Sequence, residues 1–274
     1  GGAGNDTLAS GAGNDIVTAG AGNDSIVAGT GNDLIQFLSA NLNSADTVQG
    51  GSETDTLSIT DAATVDDADF TNITGIEELR LADAANAVTL GAIADNNGGL
   101  TVTGGAGSDT LNLNNFDNAD LAFNAGDGGD LLSYSADNTA QTITIASATV
   151  SASGTASGGG GTDTFTALES IAGSSSTTDR LIDNTGDSTV TITAADTGTL
   201  DGFTFIGVEN LSLSGGNDSV TVTGATGGVS LTGTLDLGDG NNTLLLNSGS
   251  GSIDSVSSGS GTDTITLNAG SITD

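Results

Sequence analysis

The chain contains no cysteine, histidine, methionine, tryptophan or proline. Without cysteine there is neither a disulfide framework nor a thiolate zinc site. The missing histidine also removes transition-metal ligation through imidazole, zinc-protease motifs and nucleophile–histidine pairs. Positive charge is almost absent: Arg80 and Arg180 stand against 35 acids, a formal charge of −33. Nothing here could neutralise phosphate, so nucleic acid is not an expected partner. No apolar run approaches the roughly 20 residues of a membrane helix. Aromatic residues are only 3% of the chain, which argues against an apolar-walled pocket for a small molecule. Paired carboxylates such as Glu77 and Glu78 could in principle hydrolyse a glycoside. Almost every acid has another explanation, however, and the chain is not expected to be an enzyme.

A charge of −33 on 274 residues would ordinarily keep a chain open. Two features argue for a fold. Apolar residues make up 35% and recur with strand-like alternation. The acids are 30 Asp and only five Glu, and Asp, which bonds its own neighbouring backbone, belongs in turns. Acid placed by position implies a counter-ion placed by position.

Residues 1–36 are four nonapeptides without a gap: GGAGNDTLA, SGAGNDIVT, AGAGNDSIV and AGTGNDLIQ. Each carries an Asp at the same place, namely Asp6, Asp15, Asp24 and Asp33. Two glycines precede each Asp, four and two residues earlier: Gly2 and Gly4, Gly11 and Gly13, Gly20 and Gly22, Gly29 and Gly31. Glycine takes the positive φ that a turn this tight requires. Calcium prefers six to eight hard oxygen ligands, carbonyl or carboxylate. One turn cannot supply that many, but two turns stacked along a coil can. One full coil takes two nonapeptides, so Asp6 should stack on Asp24 and Asp15 on Asp33, on opposite edges. Leu8, Val17 or Ile16, Ile26, and Ile35 or Leu34 would then fill a narrow core. Without the ion the stacked carboxylates repel and the slim core offsets little chain entropy. The segment should therefore be open without calcium and folded with it.

Looser copies follow: GGSETDTLS (50–58), GGAGSDTLN (104–112), AGDGGDLLS (125–133), GGGGTDTFT (158–166), LSGGNDSVT (213–221), LGDGNNTLL (237–245) and SGSGTDTIT (258–266). They add Asp55, Asp109, Asp130, Asp163, Asp218 and Asp263 as candidate calcium ligands through turn carbonyl and carboxylate oxygens. Asn242 stands where an Asp is expected. Asp55, Asp109, Asp163 and Asp218 are 54, 54 and 55 residues apart. Since 54 is three times 18, this spacing predicts a whole number of coils. Between the turns lie four- to five-residue apolar–polar alternations at 57–60, 79–82, 100–103, 111–114, 121–124, 142–146, 189–193, 211–214, 219–223 and 265–268, the pattern of short strands. Only 61–82 has a possible helical stretch, and its β-branched residues argue against it. The lack of proline suits strands whose every N–H is needed by the next rung. The expected fold is all-β, a right-handed parallel β-roll or β-helix with calcium in the Gly/Asp turns. Residues 1–36 form its regular roll and 37–274 a continuous irregular β-helix, the whole being a segment of a longer protein.

These residues resemble the RTX (repeat-in-toxin) family of secreted bacterial proteins, fully over 1–36 and more loosely to about 266. TGIEELRLA (74–82), TALESIAGS (166–174) and IGVENLSLSGGNDSVTV (206–222) are similar to irregular stretches of RTX surface-layer proteins. The resemblance implies type I export in an unfolded, calcium-free state, then folding in millimolar external calcium. Glu77, Glu169 and Glu209 share an [GA]-[IVL]-E-like context and are read as structural, facing turn amides. Thr-x-Thr pairs at Thr101/Thr103, Thr142/Thr144, Thr191/Thr193, Thr221/Thr223 and Thr264/Thr266 raise an ice-binding face, against the ordinary use of Thr on solvent-facing strands. The expected function is structural, a calcium-dependent surface-layer or matrix-fibre subunit that self-associates into a lattice or filament at the cell surface, with cell-surface polysaccharide as a further partner. The competing reading is the RTX module of a secreted adhesin.

Overall fold

A computed structural model describes residues 1–116, 119–147, 149–223, 229–247 and 251–273. Among the described residues, helical structure is limited to the short 3-10 turns Ser39–Asn41, Asp67–Phe70 and Ala94–Asn97. The stretch 61–82 is accordingly strand and turn, as its β-branched residues argued. That stretch holds the strands Thr64–Val65, Ile73–Thr74 and Glu78–Arg80 around the turn Asp67–Phe70. A reciprocal pair of bonds between Asp66 and Asp69 closes the turn, and β-branched neighbours favour strand on either side.

The chain forms two compact units, Gly1–Leu132 with Gly159–Phe165 and Ser133–Gly158 with Thr166–Asp274. In the first unit all described pairings between named strands are parallel, as in a β-solenoid. Thr7–Ala12, Ser25–Thr30, Thr47–Ser52 and Ile73–Thr74 stack as one face. Ile16–Thr18, Leu34–Phe37, Thr56–Ile59, Glu78–Arg80, Leu100–Ala106 and Leu121–Asp127 stack as another. Thr64–Val65, Ala87–Gly91 and Thr110–Asn114 form a third. Alternation sends every second side chain inward. Val17, Ile35, Leu57, Leu79, Val102 and Phe123 therefore lie in one register row, all buried. Ile26 and Val48 do the same on the facing side. The ambiguity at the second repeat resolves here, since Val17 is buried and Ile16 is 72% exposed. The residue directly after each Asp points out, and the next one points in.

The second unit is built on two parallel stacks. Thr142–Ser147, Arg180–Asp183, Asn210–Leu213, Ser230–Asp236, Ser252–Ser257 and Ser271–Ile272 form one. Thr189–Ala194, Ser219–Val222, Thr243–Leu246 and Thr264–Leu267 form the other. It also contains antiparallel pairs that the repeat pattern did not predict. Thr142–Ser147 pairs with Ala152–Gly158, and Thr189–Ala194, Thr197–Leu200 and Phe203–Ile206 make a three-stranded meander.

Coil length is not constant. Equivalent turn residues are 18 apart at Asp6/Asp24 and Asp15/Asp33, then 22 at Asp33/Asp55, 23 at Asn86/Asp109 and 21 at Asp109/Asp130. Where extra strands are inserted the interval grows to 38 at Gln141/Asp179 and 30 at Asp179/Glu209. The 54-residue spacing therefore does not count whole coils. Asp55 precedes a strand of the second face and Asp109 a strand of the third, so the two do not stack. Insertions between turns change the coil length without disturbing the turns.

Candidate metal centre

Gly20, Gly22, Gly29 and Gly31 are fixed by close approach to the preceding coil. Gly29 has φ +121, and a Cβ there would lie 1.8 Å from the Gly11 carbonyl oxygen of the preceding coil. Any larger residue would separate the rungs. This packing brings equivalent Asp residues one rung apart, about 4.8 Å.

Each repeat Asp reaches back to the previous rung. The Asp6 N–H donates to Asp24 Oδ1 at 2.9 Å, and the Asp15 N–H to Asp33 Oδ1 at 2.8 Å. These are the two pairs expected to stack. The rows continue: Asp24 N–H to Asp46 Oδ1 at 2.7 Å, Asp33 N–H to Asp55 Oδ1 at 2.8 Å, and Asp55 N–H to Glu77 Oε2 at 2.8 Å. A third row runs Ala63, Asn86, Asp109, Asp130. In the second unit one row runs Gln141, Asp179, Glu209 and another Ser188, Asp218, Asn242, Asp263. Asp163 Oδ1 accepts from the Leu121 N–H at 3.1 Å. Glu77 and Glu209 thus face turn amides.

The residue before each Asp works in the opposite sense, a feature the sequence reading missed. Asn5 Oδ1 accepts from the Asn23 N–H of the following rung, and Asn14 Oδ1 from Asn32 N–H, both at 3.0 Å. Asn32, Asn217 and Asn241 do likewise for Thr54, Asn241 and Thr262. An Asn-Asp pair therefore clamps its rung to both neighbours. The recurrent ND of the nonapeptides was the available signal.

The second carboxylate oxygen discriminates among the turns. Oδ2 of Asp15, Asp24, Asp33, Asp55, Asp109 and Asp218 is buried with no hydrogen-bond partner. Leaving such an atom unsatisfied costs about 1–3 kcal/mol. Like charges one rung apart add repulsion of about 3 kcal/mol per neighbour at an effective dielectric of 20. Burial pushes the Asp55, Asp109 and Asp218 carboxyls upward, and Asp218 is raised to about 6. Hydrogen bonds from the preceding rung oppose these shifts without cancelling them.

Two asparagines indicate what completes such a turn. Asn86 occupies an Asp position and its Nδ2 donates to the carbonyls of Ala82 and Ala84, four and two residues earlier, at 3.0 and 2.7 Å. Asn242 Nδ2 donates to the Gly238 carbonyl, again four residues earlier, at 3.4 Å. At Asp6, Asp15, Asp24 and Asp33 the same offsets fall on Gly2 and Gly4, Gly11 and Gly13, Gly20 and Gly22, Gly29 and Gly31. Where the side chain is Asp and Oδ2 has no donor, as at Asp15, Asp24 and Asp33, a cation would meet both Oδ2 and those carbonyls. An all-oxygen donor set of carbonyls and carboxylates suits a hard cation such as calcium. Among the described residues no three acidic side chains converge on one point, so backbone oxygens would have to supply much of the coordination.

Other predicted ligands differ. Asp6 Oδ2 accepts from the Gly2 N–H at 2.7 Å. Asp263 is half-buried, and its Oδ1 accepts from the Asn242 N–H. Asp130 and Asp163 are buried. The Thr-x-Thr pairs do not form unbroken rows. Thr101 stands between Glu78 and Ala122, Thr103 between Arg80 and Asn124, and Leu245 interrupts the row of Thr191, Thr221 and Thr266.

These features define a parallel β-solenoid whose turns stack acids on an oxygen-rich backbone. Residues 1–35 and 101–118 match the family model of the RTX calcium-binding nonapeptide repeat, in four copies. Those residues are similar to RTX repeats, whose family model describes a calcium-binding nonapeptide. No curated protein matches it in a sequence comparison.

Proposed function

We propose that the chain is a structural module of a secreted protein, which folds on binding several calcium ions outside the cell and then assembles with further copies into a surface layer or fibre. RTX repeats are typical of secreted proteins, and no described helix is long and apolar enough to cross a membrane. The observation that carries the reading is the run of buried, partnerless carboxylate oxygens at Asp15, Asp24, Asp33 and Asp55. Those oxygens make the nonapeptide coils unfavourable until a cation arrives, so ion binding becomes folding energy. Assembly is supported by apolar side chains on outward strand positions, with Ile16 and Val27 72% and 43% exposed. Exposed acids could also share calcium between copies. Electron microscopy with calcium and after EGTA tests the reading. Ordered sheets or fibres that disperse in EGTA support it. Dispersed monomers under both conditions would make this an appended module of a secreted adhesin instead, and an assembly that survives EGTA would remove calcium as its glue.

A further inference from the structure

The orphaned carboxylate oxygens are not spread evenly. In the first unit they belong to Asp15, Asp24, Asp33, Asp55 and Asp109, whereas among the described residues of 137–213 there are none. The buried acids in that stretch of the second unit are met by the protein's own donors. Asp179 Oδ1 accepts from the Gln141 N–H at 2.5 Å, and its Oδ2 from the Ser174 N–H at 2.7 Å, with the Ser174 hydroxyl bonded to both oxygens. Asp183 takes the Thr185 N–H at 3.0 Å on one oxygen and the Ser188 hydroxyl on the other. Asp137 takes the Thr139 N–H at 3.0 Å and Gln141 Nε2 at 3.4 Å. Glu209 Oε2 takes the Asp179 N–H at 2.9 Å.

Two independent features of the same stretch point the same way. Its antiparallel pairs Thr142–Ser147 with Ala152–Gly158, and Thr189–Ala194 with Thr197–Leu200 and Phe203–Ile206, are sequence-local, and such contacts form at low loop-closure cost. Its core is also heavier than that of the nonapeptides. Ile143, Leu181, Ile192, Leu200, Phe203 and Phe205 are all fully buried, against Val17, Ile26 and Ile35 with alanines Ala19 and Ala28 in residues 1–36.

We infer that the part of the second unit within residues 137–213 is a calcium-independent folded core, present while the nonapeptide coils of residues 1–56 are still open. The chain then has two folding regimes, one set by the ion and one by side-chain donors and aliphatic packing. The inference rests on the reading that a cation completes the orphaned Asp turns.

Hydrogen exchange on the whole chain, in millimolar calcium and in EGTA, tests it. In EGTA, amides of Arg180–Asp183, Thr189–Ala194 and Asn210–Leu213 should stay slowed by about 100-fold or more, while those of Ser25–Phe37 fall to unprotected rates. Unprotected exchange across 180–213 in EGTA overturns the inference, even if calcium still slows Ser25–Phe37 and so upholds the metal reading. Equal protection of Ser25–Phe37 in both conditions overturns the metal reading and the contrast built on it. Ser174→Ala provides a second measurement. It should speed exchange in Arg180–Asp183 by about tenfold, and calcium should not reverse the change. Full reversal by calcium would mean that the Asp179 turn is an ion site and would sink the proposal.

Discussion

Asp218→Asn should change sign with calcium. The Asp218 side chain is 1% exposed, its Oδ1 accepts from the Ser188 N–H at 2.8 Å, and its Oδ2 has no partner. Burial raises its pKa from 3.8 to about 6, with nearby Asp183, Asp187 and Asp201 adding to the effect against the Ser188 hydrogen bond. A carboxyl whose folded pKa is raised contributes stability that is present below the unfolded value and lost as pH rises through the folded one. At pH 7.5 the ionised group therefore costs the calcium-free fold about 3 kcal/mol. Asparagine keeps the acceptor for Ser188 and adds a donor of the kind Asn242 turns on the Gly238 carbonyl. In EGTA at pH 7.5 the variant should resist local opening more than wild type by up to about 3 kcal/mol, roughly 100-fold in exchange of Ser219–Val222. At pH 3, where the wild-type carboxyl is protonated, the gap should close. In calcium the order should reverse once the ion stands at about 1,000 times its dissociation constant, because wild type then gains about 4.1 kcal/mol, more than its ionised carboxyl costs, and the variant lacks the charged ligand. The assay is native-state hydrogen exchange, corrected for intrinsic rates, at both pH values with and without calcium. A variant that is destabilised in EGTA at pH 7.5, or that calcium stabilises as much as wild type, would refute the reasoning.

Protons should compete with the ion, since Asp55, Asp109 and Asp218 all titrate above the usual range. The calcium midpoint for folding, followed by circular dichroism, should rise by at least about tenfold between pH 7.5 and pH 5, and a constant midpoint would contradict the assignment. Ile35→Ala opens a hole between Val17 and Leu57 and should cost the calcium-bound form about 2–5 kcal/mol in thermal unfolding. Ile16→Ser, at a position 72% exposed, should cost under about 0.5 kcal/mol. Gly29→Ala would drive a methyl into the Gly11 carbonyl and should abolish calcium-induced folding of the nonapeptide coils, seen as lost protection in Ser25–Thr30 even at millimolar calcium.

The strands were legible because their cause is local. Alternation of apolar and polar residues placed every one of the ten predicted short strands, from Thr56–Ile59 to Thr264–Leu267, since period-two patterning is what a half-buried rung requires. The tandem spacing likewise gave the pairing of Asp6 with Asp24 and Asp15 with Asp33. The 54-residue interval misled for a physical reason. Register in a solenoid is set by which turns stack, and residues inserted between turns leave stacking untouched, so distance along the chain does not count coils. The antiparallel meander at 189–206 was illegible for a related reason, because TVTIT reads as a strand without stating its direction, and TGTL and FTFI were not among the predicted strands.

The least legible feature was the division of labour within a single carboxylate. One oxygen accepts the amide of the preceding rung, and any side chain with a suitably placed acceptor can do that. Asn86, Asn242, Glu77 and Glu209 all do it. The other oxygen either finds a donor in the protein or is left for an ion, and only the three-dimensional surroundings decide which. Asp46 shows how small the difference is. Its Oδ1 takes the Asp24 N–H as in any repeat turn, yet its Oδ2 is met by the Asn43 N–H and Nδ2, each at 2.9 Å. Asp24 and Asp46 stand in the same row, one rung apart, with the same first bond and opposite needs at the second. A matched pair of variants separates the two jobs. Asp24→Asn should lower calcium stabilisation while leaving the calcium-free state no weaker. Asp46→Ala should weaken the calcium-bound coils by about 1.5–3 kcal/mol, the worth of charge-assisted bonds that no ion replaces, without lowering the number of ions bound. Equal calcium dependence in the two variants would mean that the orphaned oxygen does not mark the ion site.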